Sequence, residues 1–278
     1  MIPPEFPDIA GALAWARRYI APPEARLLLR RVYQCSAAHL AAWPEKALPK
    51  VEWAAFRALV ERRAAGVPMA YLIGEREFYG RNFVVGPEVL IPRPETELLV
   101  ELALAHFSAM PHAKVLDMGT GSGVLAITLA LELDRAEVCA LDQSRAALSV
   151  AMSNAIRLGA SVSFLCSDWY SELGEEHFHL IVANPPYVAE NDPHLTLGDL
   201  RFEPRKALAA GGNGLAGLAL IAAGAGRHLE DSGWLFMEHG HDQAATVRGI
   251  LADAGFAAIA SWPDLAGIER VTGGRWTR

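Results

Sequence analysis

Four consecutive residues, Asn184-Pro185-Pro186-Tyr187, follow an apolar run that has the character of a buried strand. Proline cannot donate to a strand ladder, so the pair ends the strand at this point. Neither ring carries an N–H, and the residue before each proline is restricted to an extended conformation. The segment therefore presents carbonyl oxygens, together with the asparagine side-chain oxygen, without competing donors. Such a surface suits a planar NH₂ group, which has two hydrogens to donate.

The chemistry that this surface favours is transfer to an amide or aryl-amine nitrogen, a poor nucleophile because its lone pair is delocalised. Two fixed acceptors can hold the nitrogen in line with a sulfonium methyl group and favour tetrahedral geometry. The leaving thioether is neutral, so neither an acid nor an early general base is needed. We predict Asn184, Pro185 and Tyr187 as catalytic residues, with Tyr187 against the flat substrate. The alternative is a rigid turn that only ends the strand.

A glycine-rich loop upstream predicts a binding turn for a nucleoside cofactor. The sequence VLDMGTGSGVLAI places a strand before the loop and a helix after it, and Asp142 closes the next strand. The glycines allow a close approach of ligand, and the carboxylate can accept hydrogen bonds from ribose hydroxyls. Residues 121–126 also match the dinucleotide pattern GxGxxA, so these features alone leave the cofactor open. A tight turn without a ligand is a further alternative.

Two features favour S-adenosylmethionine over a dinucleotide. Asp117 ends the strand before the first glycine, where a carboxylate can orient the loop and attract a cationic methionine group but would repel a pyrophosphate. In a doubly wound sheet, the proline pair would share the carboxyl-end crevice with the loop. Trp169 can pack beside the adenine, with Asp168 as an acceptor for its amino group. A core aromatic is the alternative role for Trp169.

The pattern of apolar residues predicts two domains. The N-terminal region spaces its apolar residues at three and four, which is typical of helices. The segment REFYGRNFVV, centred on Gly80, indicates a β-hairpin. From Pro94 onward strands alternate with helices, which predicts an α/β fold with a mostly parallel sheet and helices on both faces. The predicted limits are 1–72 for the helical domain, 73–93 for a hairpin linker and 94–278 for the α/β domain.

Composition favours a soluble cytoplasmic protein. Hydrophobic residues make up 52% of the chain and charged residues 21%, and no apolar stretch reaches the length of a membrane span. Three widely spaced cysteines suit free thiols in a reducing compartment. Two His-x-His pairs lack a third clustered ligand, so we expect no metal site. The net charge of −7 disfavours direct nucleic-acid binding along a broad surface.

The order of DxGxGxG, the ribose acid and NPPY resembles methyltransferases that act on exocyclic or amide nitrogens. More narrowly, the chain from about Gly66 to its C-terminus resembles the release-factor glutamine methyltransferases (the HemK/PrmC family). The segments that carry this resemblance are REFYGRNFVVGPEVLIPRPETELLVE, LDMGTGSG, ANPPYV, FEPRKALAAGGNGL and DLAGIERV. The first helices match only in type, and His239 stands where the family pattern has an apolar residue.

The resemblance implies a class I S-adenosylmethionine-dependent methyltransferase domain, Rossmann-like, behind a small helical substrate-docking domain and a hairpin. It implies methylation of the glutamine side-chain amide in the Gly-Gly-Gln motif of class I peptide-chain release factors, with S-adenosylhomocysteine as product. The implied cofactor-binding residues are Gly119, Thr120, Gly121, Ser122, Gly123, Asp142, Trp169 and Asn184. The implied substrate-binding residues are Asn184, Pro185, Pro186 and Tyr187.

Two other functions fit parts of the pattern. An adenine-N6 methyltransferase on DNA or RNA would use the same acceptors, but it must also flip a base and grip phosphates. A cofactor-binding scaffold without turnover would be expected to lack the loop, the acid or the NPPY segment. Four further residues, Arg93, Glu95, Glu203 and Arg205, could serve a lid or a partner contact, or only helix capping and ion pairing. The preferred release factor and any self-association stay open.

Overall fold

The computed structural model describes residues 7–277, and the chain divides into two compact units, Met1–Glu75 and Arg76–Arg278. This division lies near the predicted end of the helical domain. The finer limits of a separate linker at 73–93 stay a prediction.

The first unit is helical. Its helices are α1 (Ile9–Ala16), α2 (Pro22–Tyr33), α3 (Ala37–Ala42), α4 (Lys50–Ala64) and α5 (Met69–Ile73). The apolar faces converge on a core that includes Trp15, Leu28 and Phe56. An ion pair of 2.8 Å between Arg63 and Glu24 joins α4 to α2. Helices α3 and α5 are too short to produce a periodic pattern in the sequence.

The second unit begins with the predicted hairpin. Strands β1 (Glu75–Phe78) and β2 (Arg81–Val84) form a two-stranded sheet. The two residues that connect them, Tyr79 and Gly80, have φ values of 49° and 74°. Positive φ at both central positions is the geometry that a two-residue hairpin turn requires.

A seven-stranded sheet forms the centre of this unit, in the order β10-β11-β9-β6-β3-β4-β5. Strand β11 is antiparallel to both of its neighbours, and the other described pairings in the sheet are parallel. The strands are β3 (Lys114–Met118), β4 (Glu137–Asp142), β5 (Val162–Cys166), β6 (Phe178–Ala183), β9 (Leu229–Glu238), β10 (Ala257–Pro263) and β11 (Glu269–Arg275). A separate short parallel pair, β7 (Val188–Ala189) and β8 (Ala209–Ala210), lies after the proline segment.

Helices cover both faces of the sheet, as the fold class predicted. They are α6 (Glu97–Phe107), α7 (Val124–Glu132), α8 (Arg145–Leu158), α10 (Ala216–Ala225) and α11 (Ala244–Asp253), and the short helix α9 (Arg205–Leu208) precedes β8. Strand β6 shows the division: Leu180 and Val182 pack with α6 and α7, whereas Ile181 and Ala183 pack with α10 and α11. This alternation follows from the two-residue period of a strand. Among residues 7–277, no helix has the length and apolar character needed to cross a membrane.

Asn154, on α8, connects the hairpin to the glycine loop. It is fully buried. Its oxygen accepts a hydrogen bond from the Val84 N–H at 2.8 Å, and its nitrogen donates to the carbonyls of Val84 at 3.0 Å and Ser122 at 2.9 Å. A buried amide with three backbone partners is expensive to remove, because each partner would be left without a hydrogen bond.

We expect Asn154→Ala to lower the free energy of unfolding by about 2–4 kcal/mol, since backbone groups of Val84 and Ser122 lose a hydrogen-bond partner. Chemical denaturation of the purified chain measures this effect. Ser153→Ala is the matched control, because Ser153 is exposed on the same helix. If the two variants had the same free energy of unfolding, the Asn154 hydrogen bonds would not contribute to the stability of the fold.

Candidate active site

Four adjacent strands end in one row at the carboxyl edge of the sheet. Met118 lies opposite Leu141 and Ala183, and Ala183 lies opposite Met237. The next residues along these strands form the edge: Asp142, Gly119, Asn184 and Glu238. The order of strands reverses between β3 and β6, and crevices for ligands form at such a point. The sheet register therefore brings together side chains that are far apart in the sequence.

A cavity of about 300 Å³ opens at this edge. Six of the predicted site residues line it: Gly119, Gly121, Asp142, Trp169, Asn184 and Pro186. The rest of its wall comes from two segments, 88–90 and 204–207, together with Leu141, Gln143, Ser144, Ala147, Ser167 and Asp168. The remaining predicted residues lie outside the lining: Thr120, Ser122, Gly123, Pro185 and Tyr187.

The absence of a side chain has different consequences at Gly119 and Gly123 of the loop. Gly119 lines the cavity with φ 77°, and a Cβ there would meet nothing within 4 Å. A Cβ on Gly123 would lie 2.8 Å from the Ile127 side chain and 3.1 Å from that of Ala151. Gly119 thus keeps the cavity wall open, whereas Gly123 allows α7 and α8 to pack closely.

Asp142 closes the loop from the neighbouring strand. Its Oδ2 accepts a hydrogen bond from the Gly121 N–H at 3.0 Å, and its Oδ1 accepts one from the Ser144 N–H at 2.8 Å. Burial raises the pKa of this carboxyl, while the two backbone donors act in the opposite direction. Each oxygen keeps a further lone pair for a ligand hydroxyl in the cavity.

Asp117 lies beneath the loop and does not line the cavity. Its Oδ2 accepts hydrogen bonds from the Thr120 hydroxyl at 2.7 Å and the Ala126 N–H at 3.1 Å. Its buried Oδ1 has no hydrogen-bond partner among the described residues. Burial raises the pKa of Asp117 to about 7, and the nearby charge of Asp142 adds to the rise against the two hydrogen bonds.

Trp169 lies at the boundary between the cavity and the core, and its place beside an adenine stays a prediction. Its ring lines the cavity and also packs against the core on the α10 face of the sheet. A Cβ on Gly217 of α10 would make only an ordinary contact of 3.5 Å with Trp169 and Pro185, whereas one on Gly224 would lie 2.4 Å from the Tyr170 ring. Gly224 therefore has a packing function, although it weakens the helical signal in the sequence.

Hydrogen bonds to residues outside the cavity lining fix the proline segment. The Asn184 Nδ2 donates to the Thr96 hydroxyl at 3.1 Å, and the Tyr187 hydroxyl donates to Glu238 Oε1 at 3.1 Å. The Gln243 side chain donates to the Tyr187 carbonyl at 3.0 Å. Tyr187 packs against the core and does not line the cavity.

Sequence reasoning missed the residues that fix this segment. They are Thr96, Glu238, Gln243 and Gly214. A signal was present in MEHGHDQ, where polar residues directly follow a buried strand. Such residues face the same carboxyl edge as the proline segment, but their partners depend on the order of strands.

Three of the charged residues whose role the sequence left open make hydrogen bonds or ion pairs near the cavity wall. Glu203 has a fully buried side chain that pairs with Arg93. Its other oxygen accepts a hydrogen bond from the Ile91 N–H at 2.9 Å. Arg205 donates to the Glu190 carbonyl at 2.9 Å. Across residues 7–277, no group of three or more His, Cys, Asp or Glu side chains is placed to hold a metal ion.

The raised pKa of Asp117 has a consequence for stability. The ordinary pKa of the group is 3.8, and in the folded chain it is about 7, so folding binds a proton between these values. A raised carboxyl pKa stabilises the folded state below about 4, and this contribution is lost as pH rises toward 7. The stability of wild type relative to Asp117→Asn is therefore expected to fall by roughly 2–4 kcal/mol over this range.

Denaturation of both proteins at several pH values between 4 and 7.5 measures the difference. Asp253→Asn serves as the control, because Asp253 is exposed at the end of α11. If the Asp117→Asn difference were constant with pH, the carboxyl would already be ionised in the folded chain at pH 4.

Gly214 provides a steric test of the proline segment. Its φ is 85°, and a Cβ would lie 2.2 Å from the Tyr187 carbonyl oxygen. Gly212 has φ 68°, but a Cβ there would meet nothing within 4 Å. We expect Gly212→Ala to cost about 1 kcal/mol for the left-handed backbone, and Gly214→Ala to cost about 1–3 kcal/mol more through overlap. Thermal or chemical unfolding measures both, and equal losses would contradict the close approach.

Comparison with known proteins agrees with this architecture. Residues 95–226 match the family described as Methyltransferase small domain, and residues 11–74 match the PrmC N-terminal domain. A methyltransferase from Pyrococcus furiosus shares the fold, with a TM-score of 0.54 at 16% identity over 80% of this chain and 98% of that chain.

Two relatives are much closer in sequence. The release factor glutamine methyltransferase of Bordetella pertussis is 51% identical over 90% of this chain and 93% of its own length. The release factor glutamine methyltransferase of Xylella fastidiosa is 47% identical over 97% of this chain and 98% of its own length. With such identity along nearly the whole chain, this protein belongs to the release factor glutamine methyltransferase family.

Proposed function

We propose that this chain transfers a methyl group from S-adenosylmethionine to the side-chain amide nitrogen of a glutamine in class I peptide-chain release factors. The glutamine is that of the Gly-Gly-Gln motif. One observation carries the proposal: Asn184 and Pro186 line the same cavity as Gly119, Gly121 and Asp142. An acceptor surface for an NH₂ group and a nucleoside-binding loop thus share one space.

The residues of the cavity fit S-adenosylmethionine. Gly119 and Gly121 leave the backbone open at the cavity wall, and Asp142 offers further acceptor capacity for a ribose. Trp169 offers a ring face for the adenine, with Asp168 beside it in the lining. The partnerless Oδ1 of Asp117 beneath the loop favours a cationic ligand nearby, because a cation stabilises an ionised carboxylate.

The protein's contribution to the reaction is to position the substrate amide. Bound S-adenosylmethionine supplies an electrophilic methyl group and leaves as neutral S-adenosylhomocysteine. The Nδ2 of Asn184 is engaged by Thr96, so its Oδ1 is the atom available to accept from the substrate NH₂. We infer that the second acceptor is the carbonyl of Pro185, which lies between the cavity-lining residues Asn184 and Pro186 although Pro185 itself is not in the lining. With both hydrogens held, the nitrogen lone pair can be directed out of the amide plane toward the methyl group.

The neighbouring polar groups do not provide a base for an early proton transfer. The Tyr187 hydroxyl donates to Glu238, and burial together with the Glu238 charge raises the pKa of Tyr187, so the phenol stays protonated. Glu238 is itself enclosed behind the segment. We infer that the amide loses its proton after methyl transfer, when the nitrogen has become acidic.

We place this reaction in the cytoplasm, where free thiols are stable. Cys35, Cys139 and Cys166 are all free. The proposal gives the chain a protein substrate and no direct role for nucleic-acid binding, so DNA is the informative comparison substrate.

Labelled S-adenosylmethionine tests the function directly. The protein is incubated separately with a class I release factor, with the same factor carrying Gly-Gly-Ala in place of Gly-Gly-Gln, and with DNA. We expect label only in the first reaction, with mass spectrometry locating it on the glutamine side chain. Label in DNA alone would support adenine methylation and refute our proposal. Label in none of the three would support a binding scaffold.

Asn184→Ala tests the acceptor role. We expect turnover to fall by about 10²-fold or more, as for other preorganised polar groups, while the S-adenosylmethionine Kd changes little. Steady-state methyl transfer and calorimetric binding measure the two quantities. Asn191→Ala is a matched control at an exposed position. Unchanged turnover in Asn184→Ala would remove this side chain from the mechanism.

A further inference from the structure

Two walls of the cavity come from segments outside the seven-stranded sheet. One wall is formed by residues 88–90, within a stretch, 85–93, that is neither helix nor strand. The other is formed by residues 204–207, which follow a connection, 190–204, that contains only two short 3₁₀ helices. The ladder hydrogen bonds of the sheet therefore do not set the distance between these two walls.

Glu203 joins the two walls from outside the cavity lining. Its side chain is fully buried, and its Oε2 accepts a hydrogen bond from the Ile91 N–H at 2.9 Å. Its Oε1 pairs with the guanidinium group of Arg93. Ile91 directly follows the wall residue Leu90, and Glu203 directly precedes the wall residue Pro204. One carboxylate thus ties its own loop to residues 110 and 112 positions away in the chain.

The segment that Glu203 holds also leads to the asparagine of the proline segment. Arg93 precedes the 3₁₀ turn Pro94–Thr96, and the Arg93 carbonyl accepts a hydrogen bond from the Thr96 N–H at 3.1 Å. The Thr96 hydroxyl in turn accepts from Asn184 Nδ2 at 3.1 Å. Arg93 therefore connects the buried carboxylate to the contact that holds Asn184.

The chemistry of the ion pair favours a role in geometry over one in stability. Removing a carboxylate and a guanidinium from water costs free energy, so a buried pair often adds little net stability compared with apolar side chains of similar size. The planar guanidinium and the carboxylate do, however, restrict each other to a narrow range of positions. A loop without ladder hydrogen bonds gains a defined position from such a contact.

We propose that Glu203 and Arg93 are positioning residues, which hold the two loop walls of the cavity at the separation that S-adenosylmethionine requires and hold Asn184 in place through Thr96. Neither Glu203 nor Arg93 lines the cavity, so both would act through the residues that do. The part that concerns Asn184 rests on the proposed function, whereas the part that concerns the cofactor does not.

Glu203→Gln is the principal test. Glutamine keeps the shape of the side chain and one oxygen for the Ile91 N–H, but its NH₂ then faces Arg93, and two groups that only donate cannot pair. We expect the Kd for S-adenosylhomocysteine, measured by calorimetry on the full chain, to rise roughly 10-fold through loss of a charged hydrogen bond. Circular dichroism at the same temperature verifies that the variant is folded. A purely structural pair predicts a lower Tm and an unchanged Kd for the folded protein.

Substitutions of Arg93 provide a partner test and a rescue. Arg93→Met removes the cation and should raise the Kd to a similar extent, whereas Arg93→Lys keeps a cation beside Glu203 and should restore most of the affinity. The Glu203 side chain is fully buried and that of Arg93 is 30% exposed. Arg93→Met therefore leaves the less hydrated partner unpaired, and it should lower Tm more than Glu203→Gln does.

The double variant Glu203→Gln/Arg93→Met tests whether the two residues act as a pair. We expect its Kd to be close to that of either single variant, because the second substitution has no interaction left to remove. Glu132→Gln is the matched control, since Glu132 also pairs with an arginine, Arg81, and neither residue lines the cavity. It should leave the Kd unchanged.

Four results of the binding series would each overturn the proposal. They are a wild-type Kd in Glu203→Gln and Arg93→Met, binding by Arg93→Lys as weak as that by Arg93→Met, multiplied effects in the double variant, and an equal loss of affinity in Glu132→Gln.

Methyl transfer tests the connection to Asn184 separately. With S-adenosylmethionine at saturating concentration, kcat of Glu203→Gln for release factor should still be several-fold below that of wild type, because the acceptor is less well placed. A wild-type kcat under these conditions would refute the connection to Asn184. If wild type itself fails to methylate release factor, the proposed function fails and this connection with it, while the Kd series still decides whether the pair positions the cavity walls.

Discussion

The site depends on one constraint, the reversal of strand order between β3 and β6. Because the two strands are parallel neighbours, Gly119 and Asn184 follow residues that lie opposite each other in the sheet. The same register extends to Asp142 on one side and to Glu238 on the other. The sheet register alone therefore places the glycine loop beside the proline segment. The loop offers open backbone to a ligand, and the proline segment offers hydrogen-bond acceptors.

Carboxylates hold the edge of this sheet at a cost in stability. Asp117 and Glu238 each have one buried oxygen without a partner among the described residues, and burial raises both pKa values to about 7. Cores built for stability avoid such groups, since an unpaired buried oxygen loses its hydration without compensation. Their location at the ends of β3 and β9 indicates that the site, and not the core, determines these residues.

Much of the fold was predictable from the sequence because its signals are local. Alternation of strands and helices from Pro94 predicts the α/β class, and the positive φ values of Tyr79 and Gly80 suit the predicted hairpin. Helix α10 has a weak local signal, since Gly217 and Gly224 lie inside it. In the fold a Cβ on Gly224 would lie 2.4 Å from the Tyr170 ring, so the glycine serves a contact that no local pattern reveals.

The residues of the site also fall into two groups, those with a local signal in the sequence and those whose role depends on tertiary contacts. The glycine loop and the proline segment can be recognised in the sequence, because each needs several residues with unusual backbone properties within a few positions. Thr96 and Glu238 do not, since their importance comes from hydrogen bonds to residues 88 positions and 51 positions away in the chain. A threonine at the start of a helix and a glutamate at the end of a strand have ordinary local explanations. Only the tertiary fold brings Thr96 to Asn184 and Glu238 to Tyr187, so two neighbouring residues of the proline segment are held from behind by residues that no local pattern selects.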